Sequence, residues 1–248
     1  MYDTLIFDLD GTLLYTLEDI HDAVNHVLGE NGYSLNTLED TRNYVGNGLK
    51  QLMKRSLPED AGKEVLDRLA EELCDYYADH CQIKTRPYDG ILECLEKLKS
   101  QGYQMAIVSN KIDEAVKELN ALYFGKYISV AIGEREGIQR KPAPDTVYQA
   151  LKELGASPEK ALYIGDSEVD FATSQNAGLD CMSVSWGFRE RSLLEDLKPA
   201  FLIDEPGEIL ETLEKLKNEN GGKKDESGSE SESEPKTESE PAAHRSST

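Results

Sequence analysis

The chain has 248 residues, and 48 acidic against 27 basic side chains give a formal net charge of −21. That length suffices for one large or two small domains with a proper core, and no window approaches the roughly 20 apolar residues of a membrane span. The acidic balance argues against a nucleic-acid partner, because affinity there comes mostly from Lys and Arg neutralising phosphates.

The first element is a short apolar run, Thr4–Phe7, that stops at Asp8. Asp3, Asp8 and Asp10 interrupt the only apolar stretch near the N-terminus, so no signal peptide and a cytoplasmic location are expected. Residues 15–84 carry no strand signal and read as a helical bundle. Thr16 and Asp19 have capping-box-like spacing ahead of Ile20, Ala23, Val24, Val27 and Leu28, and Asn31-Gly32 stops that helix. A shorter helix is expected after Thr37, another over 48–57, and a longer one from near Pro58. The last carries Val65, Leu66, Leu69, Leu73, Tyr76 and Tyr77 as its apolar stripe.

Beyond this insert, apolar runs at 103–108, 128–132, 161–164 and 182–184 alternate with helical patterns such as Ile91, Leu92, Leu95 and Leu98. Short buried runs separated by helices predict an α/β fold, a Rossmann-like doubly wound parallel sheet. Residues 1–14 and 85–217 would form it, with a small helical cap domain inserted at 15–84. From residue 218 the chain contains no Val, Ile, Leu, Met, Phe, Tyr, Trp or Cys, so 218–248 is expected to be a disordered, acidic Ser/Glu-rich tail. The tail has eight acidic and four basic residues, which leaves −17 on residues 1–217. Cys74, Cys81, Cys94 and Cys181 form no Cys-x-x-Cys pair and read as reduced thiols. No heptad or other association signal is visible.

Ligands of an open α/β sheet sit beyond the carboxyl ends of its strands, and four polar clusters fall there. Asp8-Leu9-Asp10-Gly11-Thr12 follows the first strand, with both Asp side chains on one side of the extended chain. Ser109-Asn110 follows the second and precedes a helix, whose N-terminus attracts anions. Lys141-Pro142 lies after the third, and Gly165-Asp166-Ser167, then Asp170, follow the fourth. Three or more converging carboxylates repel one another unless a cation sits among them, and hard oxygen ligands suit Mg²⁺.

In this order the motifs resemble those of the haloacid dehalogenase-like hydrolases over essentially all of residues 1–217. Val45-Gly46-Asn47-Gly48-Leu49, Ser109-Asn110-Lys111, Arg140-Lys141-Pro142 and Ser185-Trp186-Gly187-Phe188-Arg189 make the chain similar to the phosphoglycolate phosphatase group within them. The resemblance implies a Mg²⁺-dependent phosphatase acting on a small phosphorylated metabolite, most simply 2-phosphoglycolate. Pyrophosphate, a nucleoside monophosphate or a sugar phosphate are the alternative substrates. A sugar phosphomutase or a non-catalytic binding protein of the same fold are the alternative functions. Asp8 would be the nucleophile, Asp10 the general acid and base, and Lys141 the cation holding Asp8 and a phosphoryl oxygen. Ser109 and the Asn110 amide, with Gly11 and Thr12, would bind phosphate. Asp8, the Asp10 main-chain carbonyl and Asp166 would hold the metal, with Asp170 holding metal-bound water or Lys141.

Asp10 also separates chemistries, because dehalogenases lack this second aspartate and need no acid for a halide. The cap stretch ending in Gly48 is expected to bring backbone amides near the substrate. Lys111 and Arg189 at the rim, and Arg42, Lys50, Lys54 and Arg55 in the cap, are candidate cations for an anionic substrate that the acidic body would otherwise repel.

Overall fold

The computed structural model describes residues 1–222. The chain starts with β1 (Thr4–Phe7) and leaves the sheet through the two-residue β2 (Leu14–Tyr15). It then forms α1 (Leu17–Glu30), α2 (Leu38–Tyr44), α3 (Leu49–Ser56) and α4 (Lys63–His80), and returns through β3 (Arg86–Pro87). The rest alternates: α5 (Ile91–Ser100), β4 (Gln104–Ile112), α6 (Asp113–Leu119), β5 (Val130–Glu134), α7 (Asp145–Leu154) and β6 (Ala161–Gly165). The series ends with α8 (Glu168–Ala177), β7 (Asp180–Val184), α9 (Arg191–Leu197), β8 (Phe201–Ile203) and α10 (Gly207–Gly222).

Six strands form one sheet in the order β5-β4-β1-β6-β7-β8, and every neighbouring pair is parallel. Parallel strands need both faces covered, and the burial of alternate residues shows how this is met. Leu5 and Phe7 of β1 pack with Ile91, Leu95 and Leu98 of α5 and Ile209 and Leu213 of α10. Ile6 points the other way, into a layer with Val147, Ala150 and Leu151 of α7. The fold is therefore the doubly wound parallel sheet expected. The register pairs Phe7 with Ile107 on β4 and Ile164 on β6. Asp8, one residue further, stands at the middle of the sheet's carboxyl edge, its N–H bonded to the Ile164 carbonyl at 2.9 Å.

The helical insert has its own apolar cluster, which includes Leu17, Val24, Val27, Leu52, Met53, Leu69 and Leu73. Its two connections pair as an antiparallel ribbon, Leu14 opposite Pro87 and Tyr15 opposite Arg86. Tyr15 is thus extended within a stretch read as strand-free, because two residues are too few to show an alternation. β8 went unread for a similar reason, having only Phe201, Leu202 and Ile203. Helix α4 starts at Lys63 rather than near Pro58, since Pro58 opens a turn closed by the Ala61 N–H on its carbonyl.

Two further expectations are corrected. Thr16 makes no side-chain cap on α1. Asp19 instead points at the returning chain and accepts from the N–H groups of Ile83, Lys84 and Thr85 at 3.1, 2.9 and 2.8 Å. Ser109-Asn110 does not directly precede a helix: β4 runs on to Ile112, and the first turn of α6 carries Asp113 and Glu114. Helix α10 continues to Gly222, five residues into the segment read as tail, and the remainder of that tail lies outside the described residues. The four cysteines are free. No helix among the described residues is long and apolar enough to cross a membrane.

Candidate active site

The loops after β1, β4, β5 and β6 converge at the middle of the carboxyl edge. Asp8 is buried, and its Oδ1 lies 2.5 Å from the Lys141 ammonium. The same ammonium donates to Asp170 Oδ1 at 2.8 Å and to the Tyr163 hydroxyl at 3.2 Å. Tyr163 in turn donates to Asp170 Oδ1 at 2.9 Å. Ser167 is the N-cap of α8 and forms a capping box with Asp170, so Asp170 Oδ2 accepts from the Ser167 amide at 3.1 Å and its hydroxyl at 2.6 Å. Four donors therefore occupy the Asp170 carboxylate, about the full acceptor capacity of such a group. Asp170 is committed to holding Lys141.

Asp166 is held differently. Thr12 donates to its Oδ1 at 3.3 Å and the Phe188 N–H to its Oδ2 at 2.7 Å, and each oxygen retains acceptor capacity. Gly11 and Gly187 lie so near that a Cβ at either would overlap the Asp166 side chain. One oxygen each of Asp8, Asp166 and Asp170 falls within 4.8 Å of the others. Three carboxylates face one ammonium. Burial first, and then Asp170, push Asp8 well above the usual carboxylate range despite Lys141, and the same two causes raise Asp166 to about 7. A buried cluster with this excess of negative charge, oxygen donors and spare lone pairs on Asp166 fits a hard divalent cation.

Asp10 lies at the cleft, and the cluster leaves it apart. Its Oδ1 is 3.3 Å from the Lys111 ammonium, which also donates to the Tyr77 hydroxyl of the cap at 3.0 Å and sits 4.5 Å from that ring's centroid. Burial works against the charge on Lys111, but Asp10, Tyr77 and Cys81 together outweigh it and hold the group protonated. Ser109 is buried with its hydroxyl facing the Lys111 N–H. The Asn110 side chain does something the sequence did not suggest: it accepts from the Lys141 N–H at 2.7 Å and donates to the Lys141 carbonyl at 3.1 Å. It thereby fixes the backbone that carries the ammonium.

Between this edge and the cap lies a cleft of about 380 Å³, with Val45, Leu49, Leu52 and Tyr77 among its cap-side residues. Gly48 also lines it at φ 75°, and the Arg140 guanidinium lies against Gly48 and bonds the Asn47 carbonyl at 3.0 Å. Of the cap cations, Lys50 lines the cleft and pairs with Asp67 at 2.6 Å. Arg42, Lys54 and Arg55 do not line it. Arg189 also lines the cleft, but it is largely buried and pairs with Glu168 at 2.7 Å.

Residues 5–184 match the family described as haloacid dehalogenase-like hydrolases. The chain belongs to that family. It is 30% identical over 211 residues to the phosphoglycolate phosphatase of Aquifex aeolicus (strain VF5), covering 85% of this chain and 96% of the relative. The phosphoglycolate phosphatase of Pseudomonas syringae pv. syringae (strain B728a) is 32% identical over 206 residues, covering 81% of this chain and 76% of the other. Among solved structures, a predicted phosphoglycolate phosphatase of Lactobacillus delbrueckii subsp. bulgaricus superposes with a TM-score of 0.81 at 36% identity, covering 85% and 98% of the two chains. In this haloacid dehalogenase-like hydrolase the residues that sequence reasoning passed over are Tyr77, Tyr163 and Phe188. Each looks like an ordinary packing aromatic in the sequence, and only the fold brings its hydroxyl or amide to a charged group.

Proposed function

We propose that the protein is a Mg²⁺-dependent phosphatase of small phosphate monoesters, acting best on 2-phosphoglycolate. The observation that carries this is the Asp8–Lys141 pair buried at the centre of the sheet edge, with Asp10 two residues on and outside the cluster. The names of the relatives support the substrate, and a cleft of about 380 Å³ suits a small ester.

Asp8, Asp166 and the Asp10 main-chain carbonyl would hold the metal. Bound there, Mg²⁺ would supply charge neutralisation between an anionic nucleophile and an anionic ester. Lys141 holds Asp8 Oδ1, which leaves Oδ2 to form the bond to phosphorus as the ester P–O bond breaks. Asp10 gives its proton to the leaving alkoxide. It then takes one from water as that water attacks the phosphorus, breaking the bond to Asp8 and releasing inorganic phosphate. Lys141 and Ser109 hold phosphoryl oxygens throughout. Asp10 is suited to both proton transfers by its place: it lines the cleft outside the carboxylate cluster. Lys111 and Tyr77 keep it in place beneath the cap.

The test is a panel of 2-phosphoglycolate, pyrophosphate, a nucleoside monophosphate and a sugar phosphate, run with MgCl₂ and with EDTA, beside Asp8→Asn. Phosphate release should be fastest from 2-phosphoglycolate, depend on Mg²⁺, and fall to background in Asp8→Asn. Equal, low rates across the panel would overturn the substrate, and undiminished turnover in Asp8→Asn would overturn the mechanism.

A further inference from the structure

The loop 185–189 between β7 and α9 belongs to the sheet domain by sequence, yet it is bonded to both halves of the molecule. The Phe188 side chain is 6% exposed and packs within the apolar cluster of the cap, while its own N–H donates to Asp166 Oδ2 at 2.7 Å. Ring and amide hang from one Cα, so neither can shift far without the other. The neighbours reinforce the connection. Trp186 Nε1 donates to the Thr12 carbonyl at 3.0 Å, and Thr12 donates to the other Asp166 oxygen. Gly187 brings the loop backbone against Asp166, closer than any side chain allows.

Arg189 completes the bridge with its planar fork. On the sheet side, Nε and Nη2 meet the two Glu168 oxygens at 2.7 and 3.1 Å. On the cap side, Nη1 donates to the Arg42 carbonyl at 3.0 Å and Nη2 to the Val45 carbonyl at 2.8 Å, both at the end of α2. A cap that swings away takes the pocket from Phe188 and two acceptors from Arg189.

We propose that this loop couples docking of the cap to the placement of Asp166, with Phe188 and Arg189 as positioning residues. The proposal rests on the reading of the carboxylate cluster as a Mg²⁺ site and goes beyond it. Cap docking holds the Phe188 amide on Asp166 and so strengthens the metal site. By reciprocity, whatever fixes Asp166 holds the cap down. The cap then closes most firmly over a loaded site.

Full-length wild type, Phe188→Ala, Phe188→Leu and Arg189→Gln would be titrated with MgCl₂ by calorimetry. Hydrogen exchange over residues 42–48 would be followed with and without MgCl₂. All three variants keep every carboxylate of the cluster. The Kd for Mg²⁺ should rise about fivefold or more in Phe188→Ala and Arg189→Gln, and Phe188→Leu, which still fills the pocket, should restore it. Mg²⁺ should slow exchange over 42–48 in the wild type and not in Arg189→Gln. Should Phe188→Ala fail to fold, Arg189→Gln carries the test. A Kd in Arg189→Gln within about twofold of wild type, or equal slowing by Mg²⁺ in both, overturns the coupling and leaves the metal site standing. No Mg²⁺ binding by the wild type overturns the metal site and this proposal with it.

Discussion

The Lys111 ammonium joins Asp10 of the sheet domain to Tyr77 of the cap, 3.3 Å from the one and 3.0 Å from the other. A proton-transferring carboxylate works only when aimed at its target, and general acid–base help is worth about 10² to 10⁴ in rate. Lys111→Met keeps the length of the side chain and removes the ammonium. We expect it to lower kcat by about tenfold or more through loss of alignment. Tyr77→Phe keeps the ring beneath Lys111 and removes one hydrogen bond, so its effect should be smaller. Steady-state kinetics on 2-phosphoglycolate check both, and an unchanged kcat in Lys111→Met would remove the residue from the proton-transfer apparatus.

Asp8 and Asp10 should separate cleanly by their kinetic signatures. Asp10→Asn keeps the nucleophile and the main-chain carbonyl but removes the acid and base. An aryl phosphate bearing a nitro group needs no proton on departure, so the first half of its reaction should survive. The second half still lacks its base. Rapid quench should show a burst of the leaving group followed by slow turnover, with a phosphoryl adduct on Asp8 by mass spectrometry. No burst and no adduct would refute the covalent path.

Asp19 is a stability element, although it sits at the start of a cap helix. Asp19→Ala removes the acceptor shared by three consecutive amides at residues 83–85. Leaving a buried donor unpaired costs about 1–3 kcal/mol, so a loss of about 2 kcal/mol or more is expected in urea unfolding, with new proteolytic cleavage near residues 83–85. A midpoint equal to wild type would show that water replaces the carboxylate without cost.

Asp113 supplies a pH dependence away from the metal site. Burial pushes its carboxyl up, but Lys117 at 2.6 Å, the Gly133 N–H at 2.8 Å and Arg135 at 3.2 Å together hold it below the usual value. A depressed folded pKa means that the stabilisation is complete above the unfolded value of about 3.9 and is lost as pH falls through the lower, folded value. Asp113→Asn should therefore be less stable than wild type by about 1–3 kcal/mol at pH 7, with the difference shrinking below about pH 4. Thermal unfolding of both proteins at pH 7, 5 and 3 decides it, since a gap that stays constant contradicts the ion-pair origin.

Five strands, the helical insert and the acidic edge were legible because each rests on local pattern. Thr4–Phe7 ends abruptly at a charged residue, and Ile20 to Leu28 repeats at helical spacing. What escaped depends on partners distant in the chain. Asp19 has the spacing of a capping residue, and nothing local reveals that residues 83–85 come back to claim it. Nothing beside Asn110 in the chain reveals that its side chain braces the backbone of Lys141. Arg189 looks like a free cation until Glu168 and the end of α2 are placed around it.

The ribbon of β2 and β3 has a consequence for protein engineering. The chain departs and comes home on adjacent antiparallel strands, Tyr15 opposite Arg86, about 5 Å apart as in any sheet. A two-residue Asn-Gly turn spans that gap, so the whole helical insert can be excised as a cassette and the hairpin sealed without disturbing the order of the six-stranded sheet. The trimmed enzyme would present Asp8 and Lys141 on an open floor, accessible to esters far larger than the native cleft admits, such as phosphorylated peptides. Phe188, left facing solvent, would be the first residue to replace with a polar one.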